Sequence, residues 1–386
     1  MSVVEVEHRA EALEQDTGEG RAARRRWPWP RYMRAELGLR NYWYPALLAH
    51  HLKQRPVVVK MLGEELAFVR DGQNVYCLQG RCAHRGVPFS EARREFPCTI
   101  TCPYHGWTYN LASGKLVAAL TDGPDSAIVG KVQLQTYPAV ERQGVIWAFI
   151  GDGPAPPLED DVPPEFLEPG AYVGGRVFVW DGDWRVAMEG AIDPSHPFYL
   201  HRSAWLSTPF SMPAARGKHF PEIVDGRYLT YSTEVPLPVG DYPGLGRWPR
   251  VPWWKRQRLN KLGVWGALPC QSRVVNLNFN LPFETYSWYV PVDRAHYRWF
   301  TFLVARGVSG PRRWYAWLKY NLWLKWVYQG QFLRQDSRMN EVIAPFYLEQ
   351  DGWLKERLHR PDVVITAWRK FVEENARGIQ EPGCRA

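Results

Sequence analysis

A chain of 386 residues with 45% hydrophobic and 14% aromatic residues exceeds the usual single domain, so two domains with sizeable cores are expected and general disorder is excluded. The net charge is +8, but the basic residues are scattered and no nucleic-acid-binding motif accompanies them. Arg81, Arg85, Arg93, Arg94 and Lys115 gather along one stretch and suggest an acidic protein partner, because complementary charge speeds encounter.

Residues 1–37 read as a leader, its flexible, charged part running to about residue 30 and ending in Trp27-Pro28-Trp29-Pro30. Met1 to Glu19 is acidic and polar, with no apolar core for a signal peptide. Arg24-Arg25-Arg26 is followed by Trp-Pro-Trp-Pro, where a twin-arginine signal would need an apolar helix. Six cysteines without a paired framework suit a reducing cytoplasm.

From Asn41 short strands are expected at Trp43-Tyr44-Pro45, Val57–Val59 and Leu66–Val69, with turns at Gly63-Glu64 and Asp71-Gly72. Val145–Ile150 closes this all-β module, and Gly151–Pro157 is the clearest linker. The expected domains are 38–155 and 156–386. In the second, Val177–Trp180, Val274–Phe279 and Trp288–Val292 read as strands, and a helix opens at Trp184. A long helix starts near Pro311 with Ser309 as N-cap. Its aromatic stripe, Trp314, Trp317, Tyr320, Trp323 and Trp326, is expected to pack against a sheet. Lys319 and Lys325 interrupt that stretch, which is too short to span a membrane.

Two Cys/His pairs dominate the first module: Cys82-Ala83-His84 and Cys102-Pro103-Tyr104-His105. Two thiolates can hold one iron of a [2Fe–2S] cluster and two imidazoles the other, which is the Rieske arrangement. Val75–Leu78 leads into the first pair, and Trp107, Tyr109 and Leu111 alternate after the second, as strands flanking two loops should. A structural zinc site fits less well, since zinc fingers usually pair Cys with Cys and His with His. A respiratory Rieske electron carrier would have a further cysteine beside each pair; here Val87 and Tyr104 stand in those places.

The second module contains Asp193-Pro194-Ser195-His196 followed by His201. Five residues on an unbroken helix place two rings about 140° apart, so the helix must be distorted or end near Pro197 if they converge. A mononuclear iron that activates O₂ takes two imidazoles and one carboxylate and leaves a face open. Asp336, Glu341 and Glu349 are all available carboxylates on this reading.

These residues, together with Gly38–Pro45, Trp288–Asp293, Ala367–Lys370 and Gly378–Gln380, resemble the catalytic α subunit of Rieske non-haem iron ring-hydroxylating oxygenases. The likeness runs from about residue 38 to 380 and is strongest to the α3-type carbazole angular dioxygenase branch. It implies an α+β fold: an all-β Rieske [2Fe–2S] domain, then a helix-grip-like catalytic domain whose antiparallel sheet is covered by helices. It implies Cys82, His84, Cys102 and His105 as cluster ligands, His196, His201 and Asp336 as mononuclear Fe(II) ligands, and Asp193 as a carboxylate bridging a cluster histidine of one subunit to an iron histidine of the next.

Phe332, Leu200, Trp205 and Phe210 are candidate pocket residues. Many relatives carry Asn where this chain has Glu189, for which protonation or a pair with a nearby arginine such as Arg185 is expected. The implied partners are a ferredoxin or an NAD(P)H-dependent reductase, a small organic substrate with O₂, and two further copies in a homotrimer. The implied activity is hydroxylation of an aromatic or polycyclic substrate. The same ligands also serve monooxygenases that demethylate, hydroxylate C–H bonds or cyclise oxidatively.

Overall fold

The computed structural model describes residues 29–201, 218–233, 241–242, 246–247, 263–275 and 283–381. The first half holds a short helix α1 (Pro30–Arg34) and ten strands: β1 (Tyr42–Leu48), β2 (Val57–Met61), β3 (Glu64–Asp71), β4 (Asn74–Gln79), β5 (Thr99–Thr101), β6 (Trp107–Asn110), β7 (Leu116–Ala119), β8 (Thr136–Tyr137), β9 (Ala139–Arg142) and β10 (Val145–Ile150). They form three antiparallel sheets, ordered β1-β10-β9, β2-β3-β4-β8 and β5-β6-β7. β1 and β10 are buried along their whole length, so they read as apolar runs rather than alternating strands.

The stretch expected as a linker, Gly151–Pro157, is anchored. Trp43 Nε1 donates to the Pro156 carbonyl at 2.8 Å, and Arg40 pairs with Asp152 at 2.9 Å. Beyond it lie α2 (Pro164–Leu167), β11 (Tyr172–Asp181), α3 (Trp184–Ile192) and α4 (Pro197–Leu200). Then come β12 (His219–Val224), β13 (Tyr228–Thr233), β14 (Asp241–Tyr242), β15 (Gly246–Arg247), β16 (Gly263–Ala267), β17 (Gln271–Val275), β18 (Phe283–Pro291) and β19 (His296–Ala305). Seven of these strands make one antiparallel sheet in the order β11-β19-β18-β17-β16-β13-β12; β14 and β15 pair with each other. The chain ends in α5 (Gly310–Lys319), α6 (Lys325–Val327), α7 (Leu333–Glu349), α8 (Gly352–Lys355) and α9 (Val363–Asn375). α3 and α9 pack on the sheet, as does α5 along its edge strand β11. Among the described residues, no helix is long and apolar enough to cross a membrane.

The two halves meet through aromatic rings. Trp147 on β10 lies 5.3 Å from Trp288 on β18 and 5.8 Å from Phe166 on α2, both edge-to-face, and both tryptophans are fully buried. Such contacts add to an already large burial term. Trp147→Ala is therefore expected to destabilise the protein by about 3–5 kcal/mol, read as a lowered urea midpoint; an unchanged midpoint would show that this cluster does not hold the halves together.

Residues 30–37, assigned to the leader by sequence, contribute buried Tyr32, Met33, Ala35 and Leu37. The Arg31 guanidinium of α1 donates to the Glu373 carbonyl at 2.8 Å and the Ala376 carbonyl at 2.6 Å, tying this helix to α9.

The aromatic stripe behaves differently from expectation. Only Tyr320 is buried; Trp314, Trp317, Trp323 and Trp326 are each at least half exposed. A strict three-residue spacing falls short of a full α-helical turn, so successive rings rotate steadily around the axis. The buried line is instead Ala316, Tyr320, Leu324 and Tyr328, spaced by four. An α-helix would carry that spacing off the sheet, but π-helical turns at Tyr320–Leu324 and Tyr328–Phe332 widen the coil and return it. Ser309 does occupy the N-cap position, without a side-chain capping bond.

Candidate metal centres

Cys82 follows β4, and Cys102 sits between β5 and β6. The two loops close alike. The Cys82 N–H donates to the Val87 carbonyl and the Gly86 N–H to the Cys82 carbonyl, each at 2.9 Å; Cys102 pairs in the same way with Trp107 at 2.8 Å and Gly106 at 3.0 Å. Gly86 and Gly106 have φ of +71° and +65°, a region that disfavours any side chain, and each stands four residues after its cysteine. The repetition was present in the sequence as two glycines but gave no signal beyond ordinary turns.

Both cysteines are buried, whereas His84 is exposed and His105 partly so. The imidazoles approach to 4.6 Å between ring centroids, and His84 stacks on Trp107 at 4.6 Å. Tyr109 Oη lies 3.3 Å from Cys82 Sγ; burial and then that sulfur push the phenol pKa upward, keeping it a proton donor. The Nδ1 atom of His105 is buried without a hydrogen-bond partner. A buried thiol pair beneath an outward imidazole pair, one with an orphaned nitrogen, fits a [2Fe–2S] cluster held half inside and half at the surface. Of the flanking basic residues, Arg81 is engaged by Glu65 and Arg94 by Asp71. Arg85 lies over the exposed Tyr104 ring at 5.9 Å.

In the second half α3 stops at Asp193, whose backbone is extended. α4 is a single turn opened by Pro197, with His196 before it and His201 after it. This break brings His196 and His201 together, with ring centroids 5.4 Å apart. Asp336, in the first turn of α7, completes the group: its Oδ1 lies 3.3 Å from His196 Nε2 and 3.2 Å from His201 Nε2. One donor atom from each of the three lies within 4.8 Å of the others. Glu341 and Glu349 are not part of this group.

The other ring nitrogens differ. His201 Nδ1 is held by Gln335 Oε1 at 2.8 Å, whereas His196 Nδ1 faces Asp193 Oδ2 at 3.4 Å without a hydrogen bond. Asp193 also accepts from the Ser195 backbone and hydroxyl, both at 2.7 Å, so it serves as a turn residue and as a neighbour of His196. Burial alone would lower the His196 pKa, but Asp193 and Asp336 raise it to about 9. Burial would raise Asp336, yet His196 and His201 pull it below the usual carboxylate range. The site is thus built to hold positive charge, and Asp336 Oδ1 has no hydrogen-bond partner. Two imidazoles and a carboxylate with this polarity fit a ferrous ion.

Phe332 stacks on His201 at 3.9 Å, and Tyr328 stacks on Phe332 at 5.5 Å. Leu200 is half-buried in α4. Trp205 and Phe210 lie outside the described residues. Gln335, which sequence reading passed over, was marked only by standing next to Asp336.

Glu189 does not pair with Arg185. Arg369 engages both its carboxylate oxygens, at 2.7 and 2.8 Å, and Tyr32 Oη donates at 2.6 Å. Arg185 is taken by Asp183 instead. Burial would lower the Arg369 pKa, but the Glu189 and Glu356 carboxylates push it upward. A carboxylate in this place is therefore answered by a guanidinium brought in from α9, 180 residues away.

Comparison with known proteins supplies the family. Residues 42–138 match the Rieske [2Fe-2S] domain, and residues 149–218 and 220–380 match the homotrimeric ring hydroxylase family. The chain belongs to the Rieske non-haem iron ring-hydroxylating oxygenases. The terminal oxygenase component of carbazole 1,9a-dioxygenase from Metapseudomonas resinovorans is 34% identical over 369 residues, covering 91% of this chain and 94% of that protein. The corresponding protein from a Sphingomonas species is 33% identical, covering 93% and 98%. The solved terminal oxygenase of carbazole 1,9a-dioxygenase from Novosphingobium sp. KA1 superposes with a TM-score of 0.83 at 29% identity, covering 94% of this chain and all of that one. This oxygenase carries the two cofactors of its family, a Rieske [2Fe–2S] cluster and a mononuclear non-haem iron.

Gln335→Leu is expected to weaken ferrous iron binding about 10–100-fold by releasing the His201 ring. An iron titration of metal-stripped protein checks this; an unchanged affinity would leave Gln335 without an orienting role.

Proposed function

We propose that this chain is a terminal oxygenase that hydroxylates a fused or extended aromatic substrate. Cys82, Cys102, His84 and His105 hold the cluster, and His196, His201 and Asp336 hold the iron. The supporting observation is the convergence of those last three side chains in a chain that also carries the Cys/His loop pair. The stacked Tyr328, Phe332 and His201 rings offer an apolar aromatic wall beside the iron position. That wall favours a flat aromatic substrate over a small aliphatic one.

When bound, the iron supplies O₂ activation, with electrons passed to it one at a time from the cluster. The protein's own contributions are positional. Tyr109 donates toward Cys82, which favours the reduced cluster by stabilising charge on the sulfur. Gln335 fixes the His201 imidazole, and the Asp193 carboxylate stands beside that of His196. Phe332 and Tyr328 orient the substrate and exclude water.

We read the molecule as a homotrimer in which Asp193 joins His196 to a cluster histidine of the neighbouring subunit. The exposure of His84 supports that reading. An external ferredoxin is the electron donor, as in the carbazole 1,9a-dioxygenase complexes of similar fold. The boundary between the units falls in the linker, giving 38–155 and 156–386. Free Cys77, Cys98 and Cys270 suit a reducing compartment such as the cytoplasm.

The test combines holoprotein with a surrogate ferredoxin and its reductase, then screens fused aromatics for substrate-dependent O₂ uptake and for oxygen from O₂ in the product. Cluster reduction without substrate-dependent O₂ consumption across the panel would overturn the aromatic assignment.

A further inference from the structure

We propose that the outer face of α5 and α6 docks onto the surface of an anionic phospholipid bilayer. On this face of the single chain Trp314, Trp317, Leu322 and Trp326 are 62%, 50%, 71% and 59% exposed. An apolar patch of this kind, on a helix whose opposite side packs along β11, calls for an occupant.

Its chemistry favours a lipid headgroup region. No aspartate or glutamate occurs between Arg294 and Gln335, whereas Arg312, Lys319 and Lys325 lie in or between these helical turns; Arg313 is turned back onto the Gly170 and Ala171 carbonyls. Lys319 Nζ is 5.8 Å from the Tyr315 ring and Lys325 Nζ is 5.5 Å from the Trp326 ring. Lysines thus stand among the exposed rings, and lysine is depleted from the cores of protein–protein interfaces. Tryptophan and tyrosine with interleaved basic residues are what an interfacial helix presents to anionic lipid: the rings lie at headgroup depth while the ammonium groups reach phosphate. Docking would be in the plane of the membrane, with no span.

The consequence reaches the centre of the molecule. The same helical ribbon runs on from Trp326 through Phe332 to Asp336, so a membrane-dissolved apolar compound would meet the protein on the element that carries the candidate iron carboxylate. The docking itself does not depend on what the iron site oxidises.

The experiment is co-sedimentation of the holoprotein with vesicles of phosphatidylcholine alone or mixed with phosphatidylglycerol, with oligomeric state followed by light scattering. Binding is expected to the anionic vesicles, weakened by salt, and weak or absent with phosphatidylcholine alone. Lys319→Gln/Lys325→Gln should lower the partition coefficient about thirtyfold with cluster absorbance and oligomeric state unchanged. Trp314→Ala/Trp317→Ala should do the same through the apolar contribution. Two results would overturn the proposal: no binding to anionic vesicles by the parent protein, or loss of the oligomer in the Trp variant, which would make this face a contact between copies of the chain.

Discussion

Asp193→Ala is expected to lower turnover about 100-fold while both metal centres stay loaded. The Asp193 carboxylate is placed between two duties, with one oxygen bonded to the Ser195 amide and hydroxyl and the other directed to His196. Its pKa is depressed, because the bonds from His196 and Ser195 outweigh the burial that would raise it. It therefore remains an anion, as the proposed bridge to an imidazole of the neighbouring subunit requires. Asp193→Asn keeps the turn acceptor but removes the charge, which separates the two duties. The measurement is the rate at which the pre-reduced cluster is reoxidised in the presence of substrate and O₂, beside iron and sulfide content. Near-normal reoxidation in the alanine variant would refute the bridging role. Slow reoxidation in alanine but not in asparagine would assign the effect to the turn.

His201→Ala is expected to abolish turnover and to remove the mononuclear iron while sparing the cluster. Purified without oxygen, the parent protein should hold about three irons and two sulfides per chain, and the variant about two of each. The visible spectrum of the cluster should be unchanged, since Cys82, Cys102, His84 and His105 belong to separate loops of the β module. His201 is nearly fully buried and its ring lies against Phe332, so part of the effect would be packing. Added ferrous iron in excess distinguishes the two causes. A variant that regains the third iron and full activity would place His201 outside the site.

Much of the molecule was legible because its chemistry is local. The Cys82–His84 and Cys102–His105 pairs each need only one tight loop, and alternating strands flank them, so spacing alone pointed to a cluster. His196 and His201 were legible as a pair, but their convergence depended on the helix ending at Asp193 and restarting at Pro197, which the sequence presented only as a possibility. Asp336 stands 135 positions beyond His201, and residue pattern left it level with Glu341 and Glu349 until the family resemblance separated them. The Arg369 partner of Glu189 had no local signal, whereas the nearby Arg185 did, and the nearby choice was the wrong one. The aromatic stripe misled for a related reason: a spacing of three was taken as one face, and two π-helical turns that no pattern announced put the buried line on a spacing of four.

What the sequence alone determined was the inventory of chemistry: a thiol and imidazole pair in each of two short loops of a β module, and a second histidine pair beyond it. These follow from short-range rules of turn, strand and ligand spacing. Only the tertiary structure decided which distant groups share a site. It brought Asp336 and Gln335 onto the two histidines, Arg369 onto Glu189, and Trp147 against Trp288, and it left the tryptophans of α5 and α6 facing outward. Each of these choices depends on how a helix is cut, widened or laid across a sheet, and such long-range packing sums many weak contacts that no short window of sequence contains.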